Sequence, residues 1–147
     1  MQLKSKHASN GFHINWINLI DNDTGVVLWY TNENYALPGI EHEAIMPRKV
    51  LDCRAMTRTI HFSSEHRINH LKLKHREFLQ GCCIEEWDSE FGTVLAKTAE
   101  TWETTFIPSQ GSTSSYANVL SGNLLIETNF YDGDKLITSS NILMFYE

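Results

Sequence analysis

Residues 81–92 read GCCIEEWDSEFG: two adjacent cysteines, two adjacent glutamates, a tryptophan and further acid. Cysteine thiolates could ligate a soft metal, and a glutamate pair could divide acid and base roles. His66 and His70, four residues apart, form the other ligand-like pair. What each pair can do depends on the element beneath it. In a strand, neighbouring side chains point to opposite faces. Cys82 then diverges from Cys83 and Glu85 from Glu86, whereas paired carboxylates must converge on one substrate. Between the histidines stands Arg-Ile-Asn, without the glutamate of a zinc-protease helix. Two solvated histidines are the simpler reading. The chain also contains no phosphate loop, dinucleotide-binding glycine fingerprint or nucleophile elbow. We expect no catalytic set, no metal and no cofactor.

The elements that would hold these residues read as strands punctuated by turns. In NLLIETNFYDGDKLITSSNILMFYE, Leu124, Ile126, Thr128 and Phe130 alternate with Leu125, Glu127, Asn129 and Tyr131. Asp132-Gly133-Asp134 supplies the hairpin turn, and Ile142, Met144 and Tyr146 share a face on the return. DNDTG at 21–25 marks a similar turn between INWINLI and VVLWY, and LPG at 37–39 a third. One helix is expected near 64–71, where EHRINHL follows the Ser63-Ser64 cap signal with Ile68 and Leu71 three apart. SQGSTSSYA at 109–117 reads as a mobile loop. Short strands with almost no helix indicate an all-β sandwich.

Alternation also places polar groups inside. Cys83, Glu85, Trp87, Ser89 and Phe91 share one parity, and the charged Glu86, Asp88 and Glu90 belong to the other, wet one. Leu71, Leu73, His75, Glu77 and Leu79 form a second inward set, and Met56, Arg58, Ile60 and Phe62 a third. Buried carboxylates and guanidinium groups are costly without partners. Several of them on separate strands suggest a cavity with a polar mouth or floor. Arg58 and Glu85 are expected to pair inside it.

Composition bounds the function. The chain has 147 residues, 41% hydrophobic, with a net charge of −6, so one domain with a core is expected and a phosphate-binding basic face is not. The three cysteines, two of them vicinal, fit a reducing compartment better than a disulfide framework. MQLKSKHASNGF at the start has no apolar core of a signal peptide, and VVLWY at 26–30 is far too short to span a bilayer. LMFYE at the end lacks a prenylation box.

Together, GFHINWINLIDNDTGVVLW at 11–29, PGIEHEAIMPRKVLDCRAMTR at 38–58, FSS at 62–64, GCCIEEWDSEFG, TW at 101–102 and VLSGNLLIETNFYDGDKL at 119–136 are specific. In order and spacing they resemble the prenyl-binding delta subunit family of the retinal cyclic-GMP phosphodiesterase. The resemblance implies an immunoglobulin-like β-sandwich, similar to the Rho GDP-dissociation inhibitors, with a hydrophobic cavity between its sheets. Residues 1–10 would be a flexible N-terminal segment and 11–147 one prenyl-binding domain.

Function is implied by the same resemblance. The protein would be a cytoplasmic, vesicle-visiting or ciliary lipid-binding chaperone rather than an enzyme. It would take the farnesyl or geranylgeranyl group of prenylated proteins: small GTPases of Ras, Rho or Rab type, and prenylated phosphodiesterase catalytic subunits. A GTP-loaded Arf-like GTPase would release the cargo. Contact with membranes would be transient, and no nucleic acid is involved. The alternatives are a carrier of N-myristoylated proteins and a non-enzymatic regulatory subunit or scaffold.

Carried onto this chain, the implied prenyl-binding wall comprises Ile17, Leu19, Trp29, Met46, Leu51, Cys53, Met56, Ile60, Leu73, Trp87, Leu120, Ile126, Thr128, Phe130, Ile142, Met144 and Tyr146. Arg58, His75 and Glu85 are its polar members. Cys53 and Arg58 differ in parity and would both face inward only across a bulge. The chain departs from the family at His75, usually glutamine, at Glu77, usually aliphatic, and at Asp88 and Ser89, usually phenylalanines. Residues 103–118 match the family poorly.

Overall fold

The computed structural model describes residues 9–107 and 116–147. Most of the expected N-terminal segment and most of the loop expected at 109–117 lie outside the described residues. Among the described residues nine strands form two sheets. The first contains β1 (Phe12–Asp21), β2 (Val27–Thr31), β4 (Met56–Ser64) and β7 (Thr98–Phe106), in the order β2-β1-β4-β7. The second contains β3 (Glu41–Met46), β5 (Ile68–Leu79), β6 (Cys82–Val94), β8 (Leu124–Asp132) and β9 (Lys135–Tyr146), in the order β3-β9-β8-β5-β6. All neighbours are antiparallel except β3 and β9, which run parallel. The expected turns at 21–25 and 132–134 join β1 to β2 and β8 to β9. Gln80 and Gly81, both at positive φ (51° and 86°), close the β5–β6 hairpin.

The helix expected near 64–71 is not there. Ser63 and Ser64 end β4, and Ile68 begins β5. Ile68 and Leu71 are both buried, but the register slips between them, Ile68 facing Val94 and Leu71 facing Gly92. The slip restores inward direction after three residues, which imitates helical spacing. His66 and His70 are therefore not one helix face. Both are exposed, and His70 Nε2 lies 3.2 Å from Glu90. Among the described residues a short α-helix, α1, spans Ala117–Leu120.

A second slip sets the inner face of β1. Asn15 has no counterpart on β4, so Phe12 and Ile14 face inward before it and Ile17 and Leu19 after it. Outer positions are wet and paired: Lys74 lies 3.1 Å from Glu86, and Arg76 Nε donates to Glu127 at 2.7 Å. The interior holds two clusters. One is centred on Phe12, Phe62, Phe130, Leu71, Leu73 and Val94, and the other on Leu19, Met46, Leu51, Met56, Leu124 and Met144.

Candidate functional site

The second cluster encloses open space. A cavity lies between the sheets, with about 960 Å³ of space free of protein atoms when the open solvent at its mouth is included. Its walls follow from the register. Across the inner face of the second sheet, Leu124 aligns with Met144 and Met144 with Ala44. Tyr146 aligns with Met46 one row further along. In the next row inward, Ile126 aligns with Ile142 and with Glu77. The row after that is polar: Trp87, His75, Thr128 and Ser140 stand side by side. Beyond it Leu73 and Phe130 belong to the close-packed cluster.

The first sheet repeats this order. On β4, Ile60 faces Ile17 and Trp102; Arg58 faces Leu19 and Thr104; Met56 faces Phe106. Arg58 thus opposes the polar rows from the other sheet. The outer end is capped by the 3₁₀ turn Arg48–Asp52, which buries Val50 and Leu51, and by α1, which buries Leu120. Pro47, with its fixed φ, starts that turn.

Of the residues expected at the wall, Ile17, Leu19, Trp29, Met46, Leu51, Met56, Arg58, His75, Leu120, Ile126, Thr128, Ile142, Met144 and Tyr146 line this cavity. Ile60, Leu73 and Phe130 sit beyond the polar rows, in the close-packed cluster, and Trp87 and Glu85, also expected at the wall, stand behind His75 and Glu77 on β6 and are not among the lining residues. Cys53 follows the 3₁₀ turn and precedes β4, so the parity conflict with Arg58 and the bulge invoked for it fall away. Its thiol points to Lys49 O at 3.5 Å, and burial, reinforced by the Asp21 charge, pushes its pKa up. Cys83 was expected inside and is exposed. The cause is Ile84, which has no counterpart in the β5 register and turns onto the cavity wall.

Sequence reasoning did not assign Tyr35, Ala44, Val50, Glu77, Ile84, Phe106 and Leu124 to the wall. Ala44 and Leu124 share parity with residues that were assigned, so alternation could have found them. Tyr35, Val50 and Ile84 enter from a loop, a tight turn and a bulge, where period two carries no signal.

The polar members form one connected group. His75 is buried, and its Nε2 lies 2.9 Å from Glu77 Oε2. Its ring stacks on Trp87 at 4.4 Å, with 15° between planes. Burial lowers the His75 pKa, as does Arg58, while Glu77 and Glu85 oppose the shift. Arg58 crosses from the other sheet to lie 5.3 Å from the Trp87 ring centroid, a cation–π distance. Burial drops its pKa to about 10, and the Glu77 charge partly offsets that. Glu77 is thus a carboxylate that the expected Arg58–Glu85 pair left out. Glu85, half-buried on β6, stands opposite Glu77 in register. Burial, helped by Glu77, raises the Tyr146 pKa, so that phenol stays neutral.

Trp87 carries both the His75 ring and the Arg58 guanidinium, and Glu77 stands beside His75, at the floor of an apolar slot. Among the described residues no cluster of His, Cys, Asp and Glu could hold a metal, and no helix is long and apolar enough to cross a membrane. The family model described as GMP-PDE, delta subunit, matches residues 6–146. With that match spanning nearly all of a two-sheet sandwich, the chain belongs to the GMP-PDE delta-subunit family.

Proposed function

We propose that this protein is a non-enzymatic carrier, one domain over residues 11–147, that holds a farnesyl or geranylgeranyl chain between its sheets. The observation behind this reading is the slot walled by Leu, Ile, Met and aromatic side chains. Burying a prenyl chain there at about 0.8 kcal/mol per carbon gives on the order of 10 kcal/mol gross, before ordering costs. A membrane offers comparable burial, so such a carrier exchanges cargo with bilayers by mass action and needs no catalysis.

The cargo would be prenylated small GTPases and prenylated phosphodiesterase catalytic subunits, met in the cytoplasm or at vesicle and ciliary membranes. A GTP-loaded Arf-like GTPase would release them by binding an exposed sheet edge. By linkage, cargo weakens that GTPase as much as the GTPase weakens cargo. The edges available are β2, β7, β3 and β6. Parallel equilibrium titrations with a fluorescent farnesylated peptide and its N-myristoylated counterpart test the reading. Tighter binding of the farnesylated peptide by about tenfold or more is expected. Preference for the myristoylated peptide, or equal binding of a peptide with no lipid, overturns it.

A further inference from the structure

The floor of the cavity is polar and only half satisfied. Arg58 Nε and Nη2 and His75 Nδ1 are buried without any hydrogen-bond partner. Buried polar groups in folded proteins nearly always find one, and leaving one unpaired is costly. With Nε2 facing the Glu77 carboxylate at 2.9 Å, the proton of neutral His75 sits on Nε2. Nδ1 is then a bare acceptor. Arg58 offers only donors. The two residues face the same space from opposite sheets, and both rest on Trp87.

From this complementarity we propose that the cavity floor is a recognition site for a neutral oxygen, best a hydroxyl, carried on the bound lipid chain. A hydroxyl can both accept from a donor such as Arg58 and donate to an acceptor such as His75 Nδ1, so its chemistry matches what the two residues lack. A carboxylate or phosphate head fits poorly. Glu77 already stands beside His75 and offsets the Arg58 charge, and Glu85 faces Glu77 in register, so the one cation at the floor is opposed by two carboxylates before any anion enters. A purely hydrocarbon chain fills the slot but leaves the orphaned atoms as they are. The ligand class is therefore an oxygenated isoprenoid or other long-chain alcohol. This inference rests on the carrier reading above and goes beyond it.

The test compares one farnesylated peptide with three analogues bearing a single hydroxyl on the first, second or third isoprene unit. Affinities are measured by competition against the fluorescent farnesylated peptide. A hydroxyl buried without a partner weakens binding by about tenfold or more. The site predicts that one of the three analogues escapes this, binding within about threefold of the plain peptide. It also predicts that Arg58→Met and His75→Leu each shift the ratio of hydroxylated to plain affinity against that analogue by about tenfold. Equal losses for all three analogues in the unaltered protein overturn the proposal, whatever the variants do.

A second arm uses no prenyl group. The NMR resonance of Arg58 Nε–H is followed while a saturated C12 alcohol, or the matching alkyl chloride, is added. A shift with the alcohol alone supports the site even if the farnesylated peptide fails to bind. The same response to both compounds, or none to either, rejects it.

Discussion

The two ends of the sandwich interior are built from the same β-strands and differ in how they are filled. At one end, Phe12, Phe62 and Phe130 meet with ring centroids 4.7–5.3 Å apart, and Leu71, Leu73 and Val94 close the gaps to zero or 1% exposure. At the other, Met46, Met56, Met144, Leu19 and Leu51 surround open space. Phe12 lies 27° from the plane of Phe62 and 37° from that of Phe130, and rings packed this closely leave few voids, while unbranched methionines tolerate one and adapt to what enters. The polar rows of Arg58, His75 and Glu77 lie where the two packings meet. Stability therefore belongs mainly to the aromatic end and ligand capacity to the aliphatic end.

Phe62→Ala strikes the aromatic end and should cost about 3–5 kcal/mol of unfolding free energy, read by chemical denaturation. A loss below about 1 kcal/mol would break the division. Ala44→Trp strikes the other end by filling the slot from β3. It should weaken the farnesylated peptide about 100-fold or more while moving stability by no more than about 2 kcal/mol. Unchanged affinity in a folded variant would place the ligand elsewhere. A matched pair sharpens the contrast. Leu73→Ala should cost about 3 kcal/mol, because it opens a cavity in a closed region, and Leu51→Ala about 1 kcal/mol, because its neighbours already face space. Equal costs would mean that the aliphatic end collapses in solution.

The smallest effect concerns the boundary. Burial holds the His75 pKa below its ordinary 6.5, so the unfolded chain binds the extra proton first as pH falls. Its contribution to stability is complete above pH 6.5 and is lost as pH drops through the folded value. Ligand in the slot would bury the ring further and extend the same trend to affinity. His75→Gln should flatten both profiles below pH 6.5. A farnesyl-peptide affinity that stays level from about pH 8 down to about 5.5 in the unaltered protein would reject the titration of His75 as its source.

Period two makes much of this legible in the sequence. It placed Arg58, His75 and Glu77 indoors, split Glu85 from Glu86, and set Ile126, Ile142 and Met144 on one wall. It failed where the period itself breaks. A slip between Ile68 and Leu71 counterfeited a helix, and the unpaired Ile84 left Cys83 in water. The roles of Tyr35 and Val50 depend on loop and turn paths that no local pattern records. Which inward residues face a void and which face a packed core was also illegible. Leu73 and Leu124 have the same alternation, and only the opposing sheet separates them.

Methyl NMR of the protein with and without the farnesylated peptide tests the central claim most directly. Three of the four methionines, Met46, Met56 and Met144, line the cavity, while Ile14, Ile60 and Ile68 report on the aromatic end. The account predicts large shifts in all three methionine methyls, with those three isoleucines nearly still. Shifts confined to the isoleucines, or to surface methyls such as Ile45 and Leu136, would contradict it.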